Sequence, residues 1–128
     1  MLPESSDTDL EGSSEHEKIR AQRAYGCEPA LLPSMMTDPS PNVRIEVAAR
    51  IALEHIPKMV KDASPEVRVA AASRIDPVYL PSLMSDPSPF VRFVVARRID
   101  ARYLPKMMKD ADANVRRITR NRLAGKMR

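Results

Sequence analysis

The chain has 128 residues, 43% of them apolar, with no Trp, two Phe and three Tyr, a length that fits one domain with a modest core. One cysteine, Cys27, excludes an internal disulfide and cannot alone supply the thiolates of an iron–sulfur cluster. The net charge of +4 hides a division: residues 1–17 hold six acids and no Lys or Arg, and the rest holds 21 bases against 11 acids, a net of +10.

The opening residues 1–13, acidic and Ser-rich, read as a disordered tail able to screen the basic body. They have neither the basic start nor the apolar run of a secretory signal, and no stretch is apolar enough to span a membrane, so a soluble cytoplasmic protein is expected.

From residue 14 the chain repeats with a period of 24. A degenerate unit covers 14–37, full units cover 38–61, 62–85 and 86–109, and a closing half unit covers 110–128. Asp38, Asp62, Asp86 and Asp110 open the last four. Val43, Val67, Val91 and Val115, then Arg44, Arg68, Arg92 and Arg116, recur in register. Ser-Pro at 40–41, 64–65 and 88–89 supplies an N-cap and a first-turn proline, with Asp112 as the cap of the last unit. A helix of about three turns is predicted after each cap. Its buried face in the first full unit is Val43, Val47 and Ile51, with Ala48, Ala72 and Ala96 allowing close packing. The "YLPSLM" and "YLPKMM" stretches are too short for a stable α-helix and predict a 3₁₀ or single helical turn, closing the layer with Leu80, Leu83 and Met84 or Leu104, Met107 and Met108. The fold class is therefore all-α: a short right-handed solenoid whose units bury their apolar faces on one another, with polar ends as caps.

Two arginine series accompany the repeat. Arg44, Arg68, Arg92 and Arg116 follow Asp38, Asp62, Asp86 and Asp110 by six residues. A carboxylate at the helix start is a natural partner for a half-buried guanidinium, giving a structural Asp–Arg ladder; the alternative is an arginine array offered to phosphates. Arg50, Arg74, Arg98 and Arg122 sit near helix C-termini, where a cation meets the negative end of the dipole.

Catalytic and metal chemistry find little support. His16 and His55 stand apart from any second ligand, Cys27 occupies a position where other units have Ile or Leu and reads as a buried inert thiol, and no Gly-rich phosphate loop or nucleophile motif occurs. A non-enzyme with no cofactor or metal is expected. The methionines of the second elements read as gap-filling core.

What the repeat leaves unexplained is Phe90 and Phe93. Ile45, Val69 and Phe93 are expected to align on the outer faces of neighbouring helices. Phe90 takes a position held elsewhere by Asn42, Glu66 and Asn114, and Arg97 and Arg117 border the row. Such a patch has the composition of a protein interface, although the row could equally pack beneath a connector with Phe90 covering it.

The 24-residue unit with "D-x-S-P-x-V-R-x-x-x-A-x-R-I" resembles the leucine-rich repeat variant family, and its Asp and Arg resemble those of HEAT-like repeats, whose unit is longer. The resemblance covers residues 14–128 and implies a right-handed superhelix of alternating α- and 3₁₀-helices. Family members occur among nitrogen-fixation genes. Some carry an N-terminal cysteine cluster binding an iron–sulfur centre, which Cys27 alone does not reproduce. The resemblance implies a small nitrogenase-associated accessory factor acting in assembly, protection or maintenance. Its partner would be a larger acidic protein, the nitrogenase molybdenum–iron protein. The competing reading is a nucleic-acid-binding solenoid, since residues 92–128 hold 12 bases against three acids.

Overall fold

Serine and aspartate caps set the framework. The computed structural model describes the backbone of residues 4–125 and the side chains of 15–125. Each unit starts at a polar cap. Ser40 and Ser88 accept from the N–H of Asn42 and Phe90, Ser64 accepts from Val67, and Asp112 accepts from Asn114 and Val115. Proline follows the three serines, where no N–H is needed. The helices that result are α1 (Glu4–Gly26), α2 (Pro41–Arg50), α3 (Ile56–Met59), α4 (Pro65–Ala72), α5 (Pro89–Arg98), α6 (Leu104–Met107) and α7 (Ala113–Leu123). 3₁₀ segments at Pro29–Met35, Leu53–His55, Pro77–Leu83 and Ala101–Tyr103 separate them, and no strand occurs among the described residues.

The predicted second element takes two forms. Pro29–Met35 and Pro77–Leu83 are wholly 3₁₀, whereas in the other two units a 3₁₀ turn runs into a four-residue α-turn, α3 or α6. An internal proline removes one amide donor from each. Packing rather than hydrogen bonding therefore fixes them: Leu32, Ile56, Leu80 and Leu104 are fully buried at equivalent positions.

The long helices stack in the order α1, α2, α4, α5, α7, each meeting the next. Val43, Val47, Ala48 and Ile51 are fully buried, and their counterparts in the next two units are 0–1% exposed. The ends break the pattern because each has one neighbour. Ile19, the counterpart of Val43 on α1, is 51% exposed. On α7 the alanine site holds exposed Arg120. Thr119 replaces Val or Ala at a fully buried site, and its hydroxyl donates to the Val115 carbonyl at 2.7 Å. Gly125, at φ +73, follows α7 in the left-handed conformation.

The opening residues differ from expectation. The backbone of residues 4–13 continues α1, where a disordered tail is predicted. Two effects favour this. Acidic residues stabilise the positive end of a helix, and the following turns are held by buried Ala24 and by Arg20, which bonds Asp38.

Candidate interaction surface

Both arginine series are used between units. Arg44, Arg68 and Arg92 each direct Nε and Nη2 to the two carboxylate oxygens of Asp62, Asp86 and Asp110, at 2.9–3.2 Å. Arg20 does the same with Asp38. The carboxylate thus comes from the following unit. The Asp six residues before each arginine contributes its backbone carbonyl instead, bonded by Nη1 at 2.7–2.8 Å in Arg44, Arg68 and Arg92. Each carboxylate also accepts the N–H two residues on, at 2.8–2.9 Å. One aspartate therefore closes its own turn and receives the preceding unit's guanidinium. Hydrogen bonding to the Asp38 carboxylate raises the Arg20 guanidinium above its ordinary pKa.

The second series reaches the other way. Arg74 and Arg98 donate to the carbonyls of Ala48 and Ala72, at 2.8 and 2.6 Å. Arg122 reaches Ala96 and Ile99, and Arg50 reaches Ala24 and Cys27. These arginines cap the preceding unit's helix, whereas the sequence suggested the end of their own. The orphan carbonyls of a helix end are satisfied by a neighbour's cation.

Ile45, Val69 and Phe93 are half-buried against the core rather than fully outward. The sequence reading centred the buried face on Val91. The buried arc of α5 runs from Val91 through Val95 to Ala96, which at about 100° per residue moves its centre toward Ala96 and brings Phe93 to its edge. The same arithmetic puts Phe90 and Arg97 opposite the arc. Phe90 is 74% exposed.

Phe90 forms a ridge between two shallow depressions. One, of about 340 Å³, lies toward α7 and is lined by Pro89, Phe90, Phe93, Asp112, Asn114 and Arg117. The other, of about 350 Å³, lies toward α4 and is lined by Pro65, Glu66, Val69 and Phe90. Arg117 is steered by the Asn114 carbonyl oxygen, which accepts from Nη2 at 3.2 Å. The pair of depressions thus carries a cation at one end and Glu66 at the other. Arg97 does not join them: it lines a separate depression with Ser73, Val94 and Arg98. Phe90 and Arg97 share a direction but stand seven residues apart, about 10 Å along the axis. Ile45 lines neither depression around Phe90.

The remaining sites stay modest. Cys27 is half-buried rather than buried, with Sγ 3.9 Å from Arg50 Nη1. His55 Nε2 lies 3.5 Å from the Glu54 carboxylate and His16 is exposed. Among the described residues no three His, Cys, Asp or Glu side chains gather as metal ligands, and no helix is long and apolar enough to cross a membrane. A second apolar surface escaped the sequence reading. Leu53 (62% exposed), Val78 (74%) and Tyr79 (45%) stand out on the second elements, and Leu53 and Tyr79 line a depression of about 500 Å³. Its signal in the sequence was Leu53 and Val78, large apolar residues at the starts of those elements where the other units have Pro, Ala, Glu or Arg.

No protein-family model and no curated protein matches the chain. Among solved structures, 88% of the chain aligns at 35% identity and a TM-score of 0.78 with a leucine-rich repeat variant with a novel repetitive protein structural motif. The chain spans 46% of that protein's length, so across nearly all of its own residues it is similar in fold and sequence to a leucine-rich repeat variant about twice as long.

Proposed function

We propose that the chain is a non-enzymatic protein-binding solenoid that docks on a larger, acidic protein through the surface around Phe90. The observation that carries this reading is Phe90 itself, 74% exposed between two apolar-lined depressions, at a position the other units fill with Asn42, Glu66 and Asn114. A rigid aromatic anchor beside an arginine is the composition of an energetic centre in protein interfaces. The pattern shared with leucine-rich repeat variants extends the proposal to an accessory role beside nitrogenase, in the manner of nitrogenase-associated factor T, with the molybdenum–iron protein as partner. Arg92, Arg98 and Arg122 donate within the protein, which leaves fewer cations for phosphates and favours a protein partner over nucleic acid. The test is a calorimetric titration of purified molybdenum–iron protein with the full chain and with Phe90→Ala/Phe93→Ala. The expected result is binding weakened about a hundredfold in the double variant, since two anchors of this kind cost about 1–2 kcal/mol each. No binding by the native chain, with a salt-sensitive gel shift on DNA or RNA instead, would favour the nucleic-acid reading.

A further inference from the structure

Arg116 holds an incomplete rung. In the four units before it, Arg20, Arg44, Arg68 and Arg92 place Nε and Nη2 on a carboxylate. Arg116 is fixed by the same anchor, Nη1 to the Asp110 carbonyl at 2.7 Å. Among the described residues no carboxylate meets its Nε or Nη2. The fork is thus held in the geometry that binds a carboxylate elsewhere in the protein, so a ligand there would meet a pre-ordered site. Its surroundings differ from those of the other four rungs. At the site that holds the buried Ala48, Ala72 and Ala96 in the earlier helices, α7 carries the exposed cation Arg120. Such a face suits a hydrophilic, acidic segment.

The chain carries such a segment at its other end. Residues 1–17 have six acids and no Lys or Arg. Glu17 is engaged within the chain by Ser40 and Asn42, whereas Asp7, Asp9, Glu11 and Glu15 lie further up the same helix. We propose that the Arg116–Arg120 face of one molecule binds the acidic first helix of a second copy, giving head-to-tail association through opposite charges. Because the two surfaces differ, the contact does not close on itself and one molecule can add to the next.

Sedimentation equilibrium of the full chain tests this with single-ended variants. One variant, Asp7→Asn/Asp9→Asn/Glu11→Gln/Glu15→Gln, keeps the arginine end. The other, Arg116→Gln/Arg120→Gln, keeps the acidic end. The native chain is expected to associate at about 0.05 M salt and to lose at least about tenfold in association constant at about 0.5 M, where the Debye length is a few ångströms. Each variant alone is expected to be monomeric, and an equal mixture to give a dimer and nothing larger, since each molecule then has one working end. Should Arg116→Gln not fold, Arg116→Lys/Arg120→Gln replaces it, keeping one charge while losing the planar fork. A native chain that stays monomeric at low salt, variants that associate like the native chain, or a mixture that stays monomeric would each overturn the proposal. Phe90→Ala is expected to leave this association unchanged, which separates it from docking at the Phe90 surface.

Discussion

Removing one carboxylate from the middle of the arginine ladder should destabilise the protein far more than removing an exposed acid. Asp86 is the best position. Its side chain is 5% exposed, and it accepts from Arg68 Nε at 2.9 Å, Arg68 Nη2 at 3.0 Å and the Ser88 N–H at 2.9 Å. Asp86→Ala deletes all three hydrogen bonds and leaves Arg68, whose side chain is 13% exposed, without its counter-charge. Breaking a buried pair from one side costs about 3–5 kcal/mol. Arg68 Nη1 keeps its bond to the Asp62 carbonyl, which places the expected loss near the lower end, about 3 kcal/mol. Glu54→Gln serves as the comparison: Glu54 is 80% exposed and its contact with His55 is 3.5 Å, so less than about 0.5 kcal/mol is expected. Urea denaturation followed by circular dichroism measures both. In a double-mutant cycle with Arg68→Met, the pair should lose less than the sum of the single variants by more than about 1 kcal/mol. A loss below about 1 kcal/mol for Asp86→Ala, or strict additivity in the cycle, would refute the view that the ladder ties the units together.

Three further outcomes are expected. Arg98→Ala, which removes the 2.6 Å bond to the Ala72 carbonyl, should cost about 1.5–3 kcal/mol in the same denaturation assay, while the exposed neighbour Arg97→Ala stays within about 0.5 kcal/mol. Phe90→Ala should leave stability within about 0.5 kcal/mol because the ring is 74% exposed, whereas Val91→Ala, at 0% exposure, should lose about 2 kcal/mol from its two missing methyl groups and the cavity they leave. The Ser40 hydroxyl and the Asn42 amide hold Glu17 below its ordinary value of 4.5. Its contribution is therefore complete above that value and is lost as the pH falls through the lower folded-state value. Hydrogen exchange at the α1–α2 contact should show loosening on acidification below pH 4.5, and Glu17→Gln should flatten that dependence.

Most of the architecture was legible because it follows from local rules repeated at a fixed interval. Ser88 and Pro89 mark a helix start wherever they fall, and Val91 with Ala96 marks the packed face. The arginines show where such reading stops. Arg68 lies six residues after Asp62 and eighteen before Asp86, and both aspartates occupy the same place in their units, so the sequence offers either as the carboxylate partner. Stacking decides: Asp62 turns its carboxylate to its own turn and to Arg44, leaving only its carbonyl for Arg68. The surface around Phe90 was legible in composition and less so in extent. Phe90 and Phe93 stood out as departures from the repeat, and they do share a depression with Arg117. Arg97 was grouped with them by direction around the helix, a measure blind to the two turns that separate it from Phe90. The half-burial of Ile45 and Val69 depended on how far each buried arc extends toward Ala48 and Ala72, which is a property of neighbouring helices.

The two arginine series also restrict how the gene for such a protein can lengthen or shorten. Arg68 ties its unit to the next and Arg74 ties it to the one before, so every interior unit is bound in both directions by the same two side chains. Excision of the 24 residues from Asp62 to Ser85 would bring Arg44 to Asp86 and Arg98 to Ala48, restoring both connections. An insertion or loss of any length that is not a whole unit would part a guanidinium from its carboxylate on one side and from its carbonyl on the other. Length change is thus tolerated in steps of one repeat, and duplication or deletion of whole units is the path of change that keeps the ladder intact.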